Sequence, residues 1–175
     1  MKAADIASVH ASAVLVGDRA VLIRGPSGSG KSRLAFDLIL AGRAGQIPTA
    51  VLVGDDRVTL EARHHQLVVR PAGALAGLIE IRGLGIRRCD FAGEAIVGLV
   101  VDLDAEDAER LPQPESLHAT LAGVELARLP VVAGYSPLPL VVASLTTSEG
   151  CASARPSSDC SKGIGNHISP TIATK

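Results

Sequence analysis

Short runs of β-branched and aliphatic residues, broken by glycine and charge, dominate the chain up to about residue 145. Ala13–Val16 and Ala20–Ile23 are two such runs, and Gly17-Asp18-Arg19 between them is a hairpin signal. The second run feeds a glycine-rich loop, Gly25–Gly30. Beyond it Leu34, Ala35, Leu38, Ile39 and Ala41 recur at helical spacing, with Gly42 as the expected C-cap. Ala50–Val53 reads as a buried strand that closes on Gly54-Asp55-Asp56. Val58–Leu60 and Leu67–Val69 flank an expected exposed turn at Arg63–His65. Ile96–Leu103 is a further apolar strand, Glu115–Leu121 reads as a short helix and Leu138–Ala143 as a last strand. The acidic run Asp102, Asp104, Glu106, Asp107 and Glu109 reads as a solvated helix start. Strands and helices mix without strict βαβ alternation, so the expected fold class is α/β with a mixed sheet.

Composition narrows the picture. Hydrophobic residues make up 47% of the 175 positions, enough for a core, but aromatics only 2%. The core must be aliphatic, and no aromatic platform exists for single-stranded bases. A net charge of −1 argues against a polybasic nucleic-acid binder. No apolar stretch is long enough for a membrane span, and the first ten residues carry no secretory signal. Cys89, Cys151 and Cys160 lack metal or disulfide spacing, which suits reduced thiols in a cytoplasmic protein. Near residue 145 the chain becomes dense in Ser and Thr and loses its apolar runs. The expectation is a folded unit over 1–145 and a disordered tail over 146–175.

The strongest local signal is Gly25-Pro26-Ser27-Gly28-Ser29-Gly30-Lys31-Ser32, which matches G-x-x-x-x-G-K-[ST] between a strand and an amphipathic helix. Glycines let consecutive N–H groups turn inward onto phosphate oxygens, and the helix adds its positive end. Lys31 supplies a cation for the β- and γ-phosphates, and the Ser32 hydroxyl is placed to ligate Mg²⁺. A chance glycine turn would not explain why, within 1–145, the only lysines are Lys2 and Lys31. ATP is the expected ligand.

Asp55 and Asp56 end an apolar strand. One carboxylate could serve a metal while the other reaches a hydroxyl, or both could belong to a solvated turn. Glu80-Ile81-Arg82-Gly83-Leu84-Gly85-Ile86 reads either as a simple loop or as a ligand-facing turn, with Glu80 toward a metal and Arg82 toward phosphate. His64, His65, His118 and His167 carry no partner pattern.

Taken in order, His10, the Gly25–Ser32 loop, Asp55-Asp56-Arg57-Val58 and Ile79–Ile86 resemble the catalytic C-terminal domain of the HPr kinase/phosphorylase family, over roughly residues 6–145. The resemblance implies an HPr kinase/PEP carboxykinase-like fold in a short, single-domain form. It implies ATP held by Gly25–Ser32 and Mg²⁺ held by Ser32 and Glu80. Asp56, with Asp55 beside it, would take the proton from a serine of the phosphocarrier protein HPr. His10 would tune that base or contact phosphate, and Arg110 would be the catalytic arginine. Phosphotransferase-system regulation, reverse phosphorolysis of phosphoserine-HPr and hexamer formation are further implications. The family's Pro-Val-Arg-Pro-Gly-Arg-like loop here reads Pro130-Val131-Val132-Ala133-Gly134-Tyr135, without either arginine. From the residues alone, another P-loop small-molecule kinase or ATPase, or a non-catalytic ATP-sensing module, stands beside the HPr kinase. The scarcity of aromatics leads one to expect an adenine held by aliphatic groups and backbone.

Overall fold

The computed structural model describes residues 7–148. The tail expected over 146–175 lies almost wholly outside them. The elements in chain order are β1 (Ala7–Val9), β2 (Ser12–Val16), β3 (Arg19–Arg24), α1 (Lys31–Arg43), β4 (Ala50–Gly54), β5 (Val58–Arg63), β6 (Gln66–Pro71), β7 (Leu78–Ile81), β8 (Gly85–Arg88), β9 (Ala95–Leu103), β10 (His118–Leu121), β11 (Val124–Val131) and α2 (Pro137–Thr146). Nine of the strands form one mixed sheet, and β7–β8 is a separate antiparallel hairpin. No helix among the described residues is long and apolar enough to cross a membrane.

The sheet runs β1-β5-β6-β9-β3-β2-β4. The long β9 changes partner along its length. Its first residues pair antiparallel with β6, while Leu99–Leu103 pair in parallel with β11. Since β2 is antiparallel to both β3 and β4, while β3 pairs in parallel with β9, four strands share one direction. The carboxyl ends of β4, β3, β9 and β11 therefore lie along one edge, where open α/β sheets place their ligands.

Alternation of side chains along the central strands divides the core in two. Val21 and Ile23 of β3 face α1 and pack with Leu34, Ala35, Leu38 and Ile39. Ala20 and Leu22 face the other way, onto Val58, Leu60, Leu67 and Val69. Both faces of the central strands are covered, which explains their nearly unbroken aliphatic sequence.

The structure corrects several readings. Leu138–Ala143 lies in α2, not in a strand. A continuous apolar run does not distinguish the two, and Pro137 and Pro139 sit in the first turn, where a helix has no backbone hydrogen bond to lose. Glu115–Leu121 splits into a 3₁₀ turn (Pro114–Leu117) and β10. The acidic run after β9 starts no helix; Asp102 and Asp107 instead face Arg128, as described below. Gly42 is not the C-cap. It lies inside α1, where a Cβ would come 2.7 Å from the backbone nitrogen of Ala50, so glycine is needed for close helix–strand packing. The helix ends at Arg43 with Ala44 as its cap, and Gly45 just beyond, with φ of 71°, permits the paired bonds Gly45 N–H to Gly42 O and Gln46 N–H to Ala41 O. The expected His64-His65 turn is a two-residue hairpin loop with φ of 50° and 62°. β1, β7, β8, β10 and β11 were not anticipated.

Candidate active site

A cavity of about 920 Å³ opens at the shared carboxyl edge. Ser27–Ser32 forms one wall, the loop that leaves β3 and enters α1. Gly28 and Gly30 have φ of 82° and 98°, and a Cβ at either would meet nothing within 4 Å. Glycine is therefore required there by backbone conformation, not by crowding. Gly25 is different: a Cβ would lie 3.0 Å from both the Cβ and the carbonyl oxygen of Leu103. The loop's first residue is thus seated on the end of β9. Lys31 Nζ donates to the carbonyl oxygens of Gly25 (3.0 Å) and Pro26 (2.8 Å), so the ammonium lies within the loop's own curl. Burial pulls its pKa below the ordinary 10.5, while the Asp55 and Asp56 carboxylates oppose the shift. Ser29 Oγ is a buried side-chain oxygen with no hydrogen-bond partner. A curled loop, an inward cation and an unpaired hydroxyl suit phosphate oxygens.

The two neighbouring aspartates occupy different environments. Asp55 is buried, accepts from Ser12 Oγ at 2.5 Å and accepts the Glu80 backbone N–H at 3.0 Å. It ties the ends of β2 and β4 to β7 and does not line the cavity. Asp56 does line it. Its φ of 63° turns the exposed side chain outward, and His10 Nε2 lies 3.3 Å from Oδ1. A non-glycine residue held in this conformation at a cavity wall is the kind of local strain that marks functional positions.

The Ile79–Ile86 segment is a cavity-facing hairpin rather than a simple loop. β7 and β8 form a hairpin whose Glu80, Ile81 and Arg82 line the cavity, with Gly83 and Gly85 at φ of 84° and 83° around its tip. His10, Lys31, Ser32, Asp56 and Glu80 thus converge on one space. Arg110 does not join them. It is exposed, outside the cavity wall, and has no side-chain hydrogen bond or ion pair among the described residues. Arg33 and Arg82 are the arginines that do line the cavity.

One structural unit went unnoticed in the sequence. Arg24, just before the loop, makes two 2.7 Å bonds to Asp102. Arg128 Nε donates to the same carboxylate at 2.5 Å, and its terminal nitrogens reach Asp107 at 2.6 and 2.9 Å. Burial alone would raise the Asp102 pKa, but the hydrogen bonds from Arg24 and Arg128 outweigh it and hold the carboxyl below 3.8. This alternating ladder fixes the strand end from which the loop springs.

Among the described residues no cluster of three or more His, Cys, Asp or Glu could hold a metal ion alone. Mg²⁺ is commonly bound by one or two protein groups together with substrate phosphates. Ser32 and Glu80, both in the cavity wall, are the side chains that could supply such groups.

A mixed α/β sheet with a P-loop-type glycine-rich loop at its carboxyl edge, and an exposed carboxylate across the cavity, defines a protein of the P-loop type. More narrowly, the chain belongs to the HPr Serine kinase C-terminal domain family, which matches over residues 1–145. It is 34% identical over 145 residues to the HPr kinase/phosphorylase of Mycoplasma mycoides subsp. mycoides SC, covering 74% of this chain and 44% of that protein. The Enterococcus faecalis HPr kinase/phosphorylase is 37% identical over 132 residues, covering 71% of this chain and 40% of the relative. The chain therefore spans less than half the length of these curated relatives. Its fold is similar to the Hpr(Ser) kinase/phosphatase of Coxiella burnetii, with a TM-score of 0.63 at 25% identity over 79% of this chain and 93% of that one.

Proposed function

We propose that the chain is an ATP- and Mg²⁺-dependent kinase that transfers a phosphoryl group to a serine of an HPr-type phosphocarrier protein. The observation that carries this reading is the convergence on one cavity of a triphosphate-type loop and the Asp56–His10 pair. The kinship with proteins named HPr kinase/phosphorylase supplies the acceptor.

The loop amides and Lys31 bind the β- and γ-phosphates and stabilise charge as it builds on the transferring group. Asp56 accepts the hydroxyl proton as the serine oxygen forms its bond to phosphorus and the bond to the β-phosphate oxygen breaks, releasing ADP. His10 holds the Asp56 carboxylate in its outward pose. Asp55 acts at one remove, because its bond to the Glu80 backbone fixes the hairpin that brings Glu80 and Arg82 to the cavity. Ser32 and Glu80 would hold Mg²⁺ together with the phosphates, where the ion would neutralise their negative charge.

The test is transfer of label from γ-labelled ATP to purified HPr, beside total ATP hydrolysis. Label should appear on an HPr serine only with Mg²⁺, and Lys31→Ala should reduce the rate by roughly 10³-fold. Brisk hydrolysis with no labelled HPr would replace the kinase by an ATPase. Nucleotide binding without turnover would replace it by a sensing module.

A further inference from the structure

The chain has only three aromatic residues, Phe36, Phe91 and Tyr135, and two of them, Phe36 and Tyr135, line the phosphate-loop cavity. Tyr135 is 58% exposed and sits beside Val132, itself 50% exposed. Both belong to a tight turn after β11, closed by Tyr135 N–H to Val132 O at 3.2 Å, with Gly134 at φ of 79°. Pro137 then starts α2. The ring is thus carried on a short, conformationally restricted segment at the cavity mouth, with Val131 and Leu103 as apolar neighbours in the wall.

Strand order says which end of a nucleotide this turn meets. Across the sheet edge the sequence is β4, β2, β3, β9, β11. The phosphate loop follows β3, in the middle. Asp56 follows β4 on one side, and Tyr135 follows β11 on the other. The register keeps the ends level, since Arg24 pairs with Asp102 and Val131 with Leu103. Phosphoryl transfer runs in line, with attacking and leaving oxygens on opposite sides of phosphorus. If the hydroxyl arrives from the Asp56 side, the leaving diphosphate and its nucleoside extend toward β11. From β4 to β11 is four strand spacings, about 19 Å at ~4.8 Å each, enough room for a nucleotide and an acceptor hydroxyl.

We propose that the Val132–Tyr135 turn is the nucleobase platform of this site, with the Tyr135 ring stacking on the purine of ATP and ADP. The proposal rests on the kinase reading and adds the residue that holds the base. It replaces the expectation, drawn from scarce aromatics, that aliphatic groups and backbone alone hold the adenine. The few aromatics are concentrated where one is useful.

The chain has no tryptophan, so Tyr135→Trp places a single fluorophore at the platform. ADP should quench it, and inorganic tripolyphosphate, which has no base, should not. By calorimetry on the full chain, Tyr135→Ala should weaken ADP about ten-fold and leave tripolyphosphate unchanged, while Tyr135→Phe keeps ADP affinity. Unchanged ADP binding by Tyr135→Ala would overturn the platform. So would an equal loss of tripolyphosphate, which would mark a misfolded turn, or a defect confined to the KM for HPr, which would make the turn an acceptor dock. If the wild-type chain binds neither ADP nor tripolyphosphate, the kinase reading itself falls and the platform with it.

Discussion

The two flanks of the strand that carries the phosphate loop treat charge in opposite ways. On the β4 side Asp56, His10 and Glu80 are exposed toward the cavity, and the one contact among them, His10 to Asp56, is solvent-accessible. On the β9–β11 side Arg24, Asp102, Arg128 and Asp107 close on one another in sequence, and Asp102 and Arg128 are only 14% and 13% exposed. Open charges can meet a substrate; closed ones hold the frame that the substrate is presented to. A carboxylate that already accepts bonds from two guanidiniums is a poor proton acceptor, since its bound neighbours stabilise the ionised form. Asp55 brings the same contrast inside a single dipeptide. Its oxygens are committed to Ser12 and Glu80, so the base role proposed above falls to the residue beside it.

The largest expected effect lies on the open flank. Asp56→Asn should lower kcat about 10²- to 10⁴-fold, the usual range for a lost general base, with ADP affinity little changed. Asp55→Asn should do the reverse first. It puts an amide where two donors converge and should lower stability by about 2 kcal/mol, as for a hydrogen-bonded buried charge. Denaturant unfolding and steady-state transfer to HPr, measured on both variants, check the pair together. A stable Asp55→Asn beside a fully active Asp56→Asn would reverse the assignment.

A smaller effect is expected on the closed flank. The folded-state pKa of Asp102 is held below its ordinary 3.8, so its contribution is complete above that value and fades as pH falls through the depressed one. Asp102→Asn should therefore be less stable than wild type by about 2 kcal/mol at neutral pH. The gap should narrow under acid, below about pH 4. A gap that stays constant into strong acid would show that the ladder's worth is packing and not ionisation. Because Arg24 adjoins Gly25, and Gly25 rests on Leu103, this variant should also raise the KM for ATP more than it lowers kcat.

The contrast also explains what was legible in the sequence. The glycine-rich loop is a local pattern that could be read from a few consecutive residues, whereas Asp55-Asp56 and Glu80–Ile86 stayed open between a solvated turn or loop and a site until the fold brought Asp56, Glu80 and Arg82 to the cavity. The central strands were legible because both faces are buried and their aliphatic runs are continuous. The Arg24–Asp102–Arg128 ladder has no local signature: its members lie 78 and 26 positions apart and meet only because β3, β9 and β11 align in parallel. α2 was misread for a related reason. An apolar run shows that a segment is buried but not its period, and the tertiary frame decided for a helix. Gly42 looked like punctuation, yet its constraint comes from β4 pressing on the helix. Tyr135 carries no motif, and its placement depends on which strand follows which across the sheet.

The smallest effect is expected at Arg110, and it probes the boundary between the flanks. Resemblance alone made it a catalytic arginine. In the structure the segment after β9 folds back on β11 through Ala105 N–H to Val131 O at 2.9 Å, then turns at Ala108. Arg110 projects beyond that turn, exposed and away from the cavity. Arg110→Ala should leave stability within about 0.5 kcal/mol, as for an unpartnered surface residue. Transfer to HPr should stay within about two-fold, below 0.5 kcal/mol on the same scale. A ten-fold fall in kcat/KM with stability intact would mean that the segment reaches the transferring phosphate during turnover. The β9 side would then contribute a charge to the chemistry as well as to the frame, and the division between open and closed flanks would hold only at rest.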